Sequence, residues 1–318
     1  MQEDDLRPST NIEDRRGDPS GGGGGGGGFP VGRGGLGIGA ILILCLIGWA
    51  IGIDPRVLIG GAEMVTGNGQ SAPQYAPQGA PQNIPQPAPR AIPGPQSQAQ
   101  TGAPTDAAGN FVAKILGETE DVWSQELPRQ ANIQYQRPVL VLFSGRTQSG
   151  CGTAQAATGP FYCPLDRKLY LDTAFFAEMQ QRFGGGGEFA HAYVISHEIG
   201  HHIQNLMGLL PKVQAAERDA DPATANNLSV RTELMADCLA GVWARKMNER
   251  HGNLSDQDVQ QAARTASAIG DDRIAQSAGR VAVPDSFTHG TAQQRTRWLG
   301  TGLREGSIAA CNTFQGPI

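Results

Sequence analysis

The sequence predicts an α+β fold, mainly helical with a small β region, set behind one transmembrane helix and a disordered Pro/Gln-rich tether. Three observations predict it. Two short β-type runs, at 138–144 and 168–172, are followed by helical patterns that continue almost to the C-terminus. No charged residue occurs between Gly34 and Ile53. Residues 67–108 alternate Pro, Gln, Ala and Gly with no hydrophobic period.

Residues 1–33 are polar and charged and include the glycine run Gly21 to Gly28. Too little apolar area is available there to offset ordering entropy, so the segment reads as a disordered cytoplasmic tail. The uncharged run 34–53, about twenty residues at roughly 1.5 Å each, matches a hydrocarbon core of ~30 Å. It is longer than a signal-peptide core and lies far from the N-terminus. Arg15, Arg16 and Arg33 precede it and only Arg56 follows closely. That bias puts the N-terminus in the cytoplasm and the rest outside it, in the periplasm or at the cell exterior. The pairs Gly35/Gly39 and Gly48/Gly52 offer weak support for self-association of such a helix. Residues 54–108 read as the linker and 109–318 as the globular domain.

That domain opens with a helix carrying Phe111, Ile115, Val122 and Trp123 and ending before Pro128. Further helices are expected at 173–183, 188–208, 211–220, 227–250, 256–268 and 290–304. Gly184 to Gly187 predict a mobile loop before the second of these. The net charge of −5, with no basic stripe, argues against a nucleic-acid partner.

The chemistry lies in the stretch VISHEIGHHIQNLMG at 194–208, in which His197, Glu198 and His201 form H-E-x-x-H. On a helix, positions i and i+4 share a face, so both imidazoles reach one ion. Zinc accepts such nitrogens and keeps a position open for water in catalytic sites. Glu198 stands where a general base would take the proton of that water. Three fixed residues recur by chance, so a third ligand decides. Gln204 and Met207 occupy the places where a metzincin would need Gly and His. Downstream, Glu233 and Asp237 are again four apart on a strong helical pattern. Gluzincins use such a Glu as third ligand and such an Asp to hold the first histidine through its other ring nitrogen. Ala236 and Gly241 are small enough to let two helices close around the ion.

Five stretches make the chain resemble the neutral zinc metallopeptidase family of bacterial membrane-anchored proteins. They are NIEDRRG at 11–17, CG…GPFYCPLDRKLYLD at 151–172, SHEIGHHIQNLMG at 196–208, RTELMADCLAGVWA at 231–244 and DSFTHGTAQQRTRWLGTGL at 285–303. The resemblance implies a zincin-like fold, a Zn2+ cofactor and a peptide or protein substrate. His289, in Thr288-His289-Gly290, resembles the late histidine with which gluzincins stabilise the oxyanion; its alternative is an incidental place beside a helix cap. In gluzincins an edge strand above the cleft pairs with extended substrate, and 168–172 is the candidate here. His191, His202 and His251 read as structural.

Cys151, Cys163, Cys238 and Cys311 form an even set in the globular part. Four cysteines allow three connectivities. The pairing 151–163 with 238–311 is favoured, the first closing a local loop, over a cysteine metal site that would lack C-x-x-C. Two functions compete with peptide hydrolysis: a tethered, metal-stabilised binding module without turnover, and zinc hydrolysis of a non-peptide amide such as cell-wall material.

Overall fold

The computed structural model describes residue 3 and residues 5–18, 100–156, 159–183 and 187–318. Its strands are β1 (Ile12–Asp14), β2 (Gln100–Thr101), β3 (Val139–Phe143), β4 (Arg146–Ser149), β5 (Gly152–Gln155), β6 (Phe161–Cys163) and β7 (Lys168–Asp172). Its helices are α1 (Ala107–Ala131), α2 (Ala174–Phe183), α3 (Glu188–Leu206), α4 (Leu209–Asp219), α5 (Pro222–His251), α6 (Asp256–Ala268), α7 (Asp271–Ser277) and α8 (Ala292–Glu305).

Five strands make one sheet in the order β2-β1-β3-β7-β6, and β4 and β5 form a separate hairpin. β3 lies parallel to both β1 and β7, with Ile12 opposite Leu140 and Val141 opposite Tyr170. β6 runs antiparallel to β7, Tyr162 facing Leu169. The strand at 168–172 is therefore internal, and the outer strand on that side is β6. The expectation that 168–172 is an edge strand is corrected: the three-residue run Phe161–Cys163 carries no period of its own and was not legible as its outer neighbour.

Helix ends follow their local chemistry. Asp221 caps α5 by accepting from the Ala223 and Thr224 amides, Pro222 fits the first turn, and Gly252 at φ +64° stops it. Reciprocal capping boxes open α6 at Ser255/Asp258 and α8 at Thr291/Gln294. α1 does not end before Pro128 but runs through it to Ala131, where Asn132 turns left-handed and its amide returns to the Pro128 carbonyl. So near the C-terminus the missing N–H of proline costs only one ladder bond. The core lies between helices and sheet: Trp123 and Leu127 of α1, Phe189 and Ile199 of α3, and Trp243 of α5 are all buried, with Phe189 and Trp243 stacked at 6.1 Å.

The first residues of the chain are part of this unit. The Ser9 amide donates to the Ala113 carbonyl at 2.8 Å. Buried Glu120 of α1 accepts from Ser9 at 2.6 Å, Asn11 at 2.7 Å and Arg7 at 3.0 Å. Gly117 makes room, since a Cβ there would sit 2.0 Å from the Arg7 carbonyl oxygen. The expectation of disorder over 1–33 is thus corrected for residues 5–18: NIEDRR is too polar to order alone, but it orders by pairing with β3 and by satisfying Glu120.

The transmembrane helix expected at 34–53, the linker up to residue 99 and Gly184 to Gly186 lie outside the described residues. Among the described residues no helix is long and apolar enough to cross a membrane. The single-pass arrangement is corrected accordingly, and with it the cytoplasmic N-terminus, the extracytoplasmic catalytic domain and self-association through the span. The sheet supplies the physical reason. β1 precedes the uncharged run, β2 and β3 follow it, and all three hydrogen-bond in one sheet. One bilayer crossing between them would leave these partners on opposite sides. The two disulfides are Cys151–Cys163 and Cys238–Cys311, the pairing favoured from the sequence.

Candidate metal centre

Two helices bring the site together. α3 and α5 approach where Gly200, inside the H-E-x-x-H motif, meets Ala236; a Cβ on Gly200 would lie 3.0 Å from the Ala236 backbone. Ala236 stands between Glu233 and Asp237, so this contact places the i and i+4 residues of one helix against those of the other. His197 and His201 face each other with ring centroids 4.9 Å apart and planes at 90°. The Glu233 carboxylate bridges them, Oε2 lying 3.2 Å from His197 Nε2 and Oε1 3.3 Å from His201 Nε2.

The remaining ring nitrogens are engaged. His197 Nδ1 lies 2.9 Å from Asp237 Oδ1, and His201 Nδ1 lies 3.0 Å from Gln204 Oε1. Gln204 in turn donates to the Thr232 carbonyl at 2.7 Å. Both histidines are thereby held with Nε2 turned to Glu233. One ligand atom from each of His197, His201 and Glu233 lies within 4.8 Å of the other two, a group able to bind a metal ion. The donor set fits zinc. Two imidazole nitrogens and one carboxylate oxygen are a catalytic zinc set, and ligand atoms about 2.0–2.1 Å from a tetrahedral ion lie roughly 3.3 Å apart. His197 Nε2 and His201 Nε2 each lie about one such spacing, 3.2 and 3.3 Å, from a different oxygen of Glu233, so the one carboxylate stands beside both nitrogens.

Charge in the site is balanced by these contacts. Burial opposes the charge on His197, but Asp237 and Glu233 outweigh it and raise its pKa to about 10. His201 is likewise raised, burial being overcome by Glu233. Burial also works against Glu233, yet His201 and His197 hold its carboxyl well below the usual carboxylate range. A metal must displace the protons these imidazoles would otherwise share with Glu233. Glu198 is 8% exposed and differs from Glu233: burial dominates and raises its pKa, while His201 and His197 act the other way. A carboxylate pushed upward beside a metal site is suited to taking and returning a proton.

His289 lies in the loop before α8. Its amide donates to Asp271 Oδ2 at 2.7 Å, and its Nδ1 lies 3.2 Å from Asp271 Oδ1. Burial lowers its pKa, but Asp271 and Glu233 raise it more, so its ring shares the field of the metal-binding group. The other histidines lie outside that group. His191 packs 4.3 Å from the Phe176 ring, His202 contacts the Tyr162 hydroxyl and the Gln136 carbonyl, and His251 pairs with Glu118.

Sequence reasoning missed Tyr193, Asp271 and Arg295. Tyr193 donates to Asp237 at 2.5 Å, and Arg295 donates to both Asp237 oxygens at 2.9 and 3.0 Å. Tyr193 sits four residues before His197 and so on the same helix face, a signal that was there to use. Asp271 and Arg295 come from separate helices and carry no such signal.

Comparison with known proteins agrees with this donor set. The family model for "Putative neutral zinc metallopeptidase" matches residues 1–314. The chain is 42% identical over 311 residues to the protein called Uncharacterized protein YpfJ of Escherichia coli (strain K12), covering 97% of this chain and 96% of that one. It is 42% identical over 226 residues to Uncharacterized protein Rv2575 of Mycobacterium tuberculosis (strain H37Rv), covering 68% of this chain and 74% of that one. No solved structure matches. With its model spanning nearly the whole length and its two-histidine, one-glutamate group in place, the chain belongs to the neutral zinc metallopeptidase family.

Proposed function

We propose that this protein hydrolyses peptide bonds with a zinc ion held by His197, His201 and Glu233, Glu198 acting as general base. The convergence of both Nε2 atoms on one carboxylate carries the reading. Zinc, when bound, supplies Lewis acidity toward a water and toward the scissile carbonyl. Glu198 takes a proton from the attacking water on its carboxylate and delivers it to the departing amide nitrogen; its raised pKa suits both halves of that transfer. Asp237 accepts from His197 Nδ1, which fixes the ring with Nε2 forward. His289, oriented by Asp271, donates from Nε2 to the carbonyl oxygen as charge gathers on it. β6 lies beside the base, the Tyr162 backbone being among the groups that lower the Glu198 pKa against burial, so its outer edge is where an extended substrate would pair.

Glu198→Gln tests the mechanism. The full-length variant should keep the zinc content of the wild type and lose cleavage of an unfolded protein substrate by a factor of ~10³ or more. Full activity in that variant rejects Glu198 as base. No cleavage by the zinc-loaded wild type, with unaltered partner binding in the variant, would favour a binding module instead. In a second experiment Glu233→Ala should reduce zinc content and affinity, and unchanged zinc binding would remove the third ligand.

A further inference from the structure

We infer that Arg295 is a positioning residue of the metal centre: from α8 it grips Asp237 with Tyr193 and so sets how His197 presents its metal-facing nitrogen. This rests on the zinc reading above and adds to it Arg295 and Tyr193, which that reading does not use. The Arg295 side chain is 3% exposed, and the Asp237 side chain is fully buried. Arg295 donates from Nε to Asp237 Oδ2 at 2.9 Å and from a terminal nitrogen to Oδ1 at 3.0 Å, the two-pronged arrangement that a planar guanidinium makes and an ammonium cannot. The Tyr193 hydroxyl adds a donor to Oδ1 at 2.5 Å, and Oδ1 is also the atom 2.9 Å from His197 Nδ1.

Asp237 is thus fixed on both oxygens. A carboxylate held at one oxygen alone would rotate about its χ2 bond, and the imidazole hanging from it would tilt away from Glu233. Charge gives a second reason. A buried, unpaired carboxylate is costly. Arg295 supplies the balancing charge directly, from a side chain that is itself buried beside it. The guanidinium is itself anchored at the Ile269 carbonyl at 3.3 Å, beyond α6, and so ties three elements to one ligand. Its approach depends on bare backbone: α5 and α8 cross at Gly241 and Gly302, where a Cβ on Gly302 would lie 1.9 Å from the Cys238 carbonyl oxygen.

The experiment uses full-length protein and three variants: Arg295→Lys, which keeps the charge without the fork, Arg295→Met, and Tyr193→Phe. Zinc affinity is measured by competition with a chromophoric chelator, the ligand field by visible absorption of the cobalt-loaded protein, and folding by melting in chelator. Arg295→Lys should melt near the wild type in chelator yet bind zinc ~10–100-fold more weakly, with a shifted cobalt spectrum. Tyr193→Phe should shift the spectrum in the same direction with a smaller loss. If Arg295→Met fails to fold, the other two variants decide. Wild-type zinc affinity and an unchanged cobalt spectrum in Arg295→Lys overturn the inference, even if its melting temperature falls. Failure of the wild type itself to bind zinc would instead overturn the metal reading.

Discussion

His289 and His202 show how position alone divides two residues of one kind. His289 stands beside Asp271 within the field of Glu233, while His202 is 1% exposed between Tyr162 and the Gln136 carbonyl. Replacing His289 with alanine should lower kcat for peptide cleavage by about 10²–10³-fold, the usual cost of an oxyanion donor, while zinc content stays unchanged; steady-state kinetics with metal analysis checks both. His202 instead predicts a pH effect on stability. Burial lowers its pKa to about 4, below the ordinary histidine value near 6.5. Between those values the unfolded chain holds the extra proton. The contribution of this residue is therefore complete above about pH 6.5 and lost as pH falls toward ~4. Denaturant unfolding in chelator should show a flatter acid limb for His202→Gln than for the wild type. The i, i+4 spacing made the pairs His197/His201 and Glu233/Asp237 legible in sequence, because a helix converts that spacing into a shared face. Asp271 and Arg295 were not legible: their partners lie 18 and 58 residues away, and no local period records such a contact.

The helices were read closely from the sequence, as were β3 and β7, but the shortest strands were not. α6 carries its capping box in the chain itself, and α3 carries an apolar stripe long enough to show its period. β1, β2 and β6 have three residues or fewer and are defined by partners far along the chain. The crossing of α5 and α8 gives the prediction that belongs to elements. Gly302→Ala would press a methyl group into the Cys238 carbonyl. Overpacking of this kind costs roughly 1–3 kcal/mol, which in a chain of this size lowers the melting temperature by several degrees. Differential scanning calorimetry should show that loss. The disulfide beside the crossing joins residues 73 apart, so replacing Cys238 and Cys311 together with serine should cost about 4 kcal/mol by chain entropy. Equilibrium unfolding of the double variant measures it.

At the scale of the whole molecule, both ends of the described sequence are packed into the fold. The Arg231 side chain donates to the Thr313 and Gly316 carbonyls, and Gln294 donates to the Ile318 carbonyl, so the last residues lie against α5 and α8. At the other end β1 fills the place between β2 and β3. Deleting residues 1–18 should strip β3 of a neighbour and leave its hydrogen-bonding edge bare, as well as stranding the Glu120 carboxylate. The shortened protein should elute as aggregate in size-exclusion chromatography, or melt well below the full chain if it stays monodisperse. Because Ile12 must meet Leu140, synthesis from the N-terminus delivers the first strand long before its berth exists. β1 therefore cannot pair with β3 until the ribosome has released residue 143, more than a hundred residues after β1 itself.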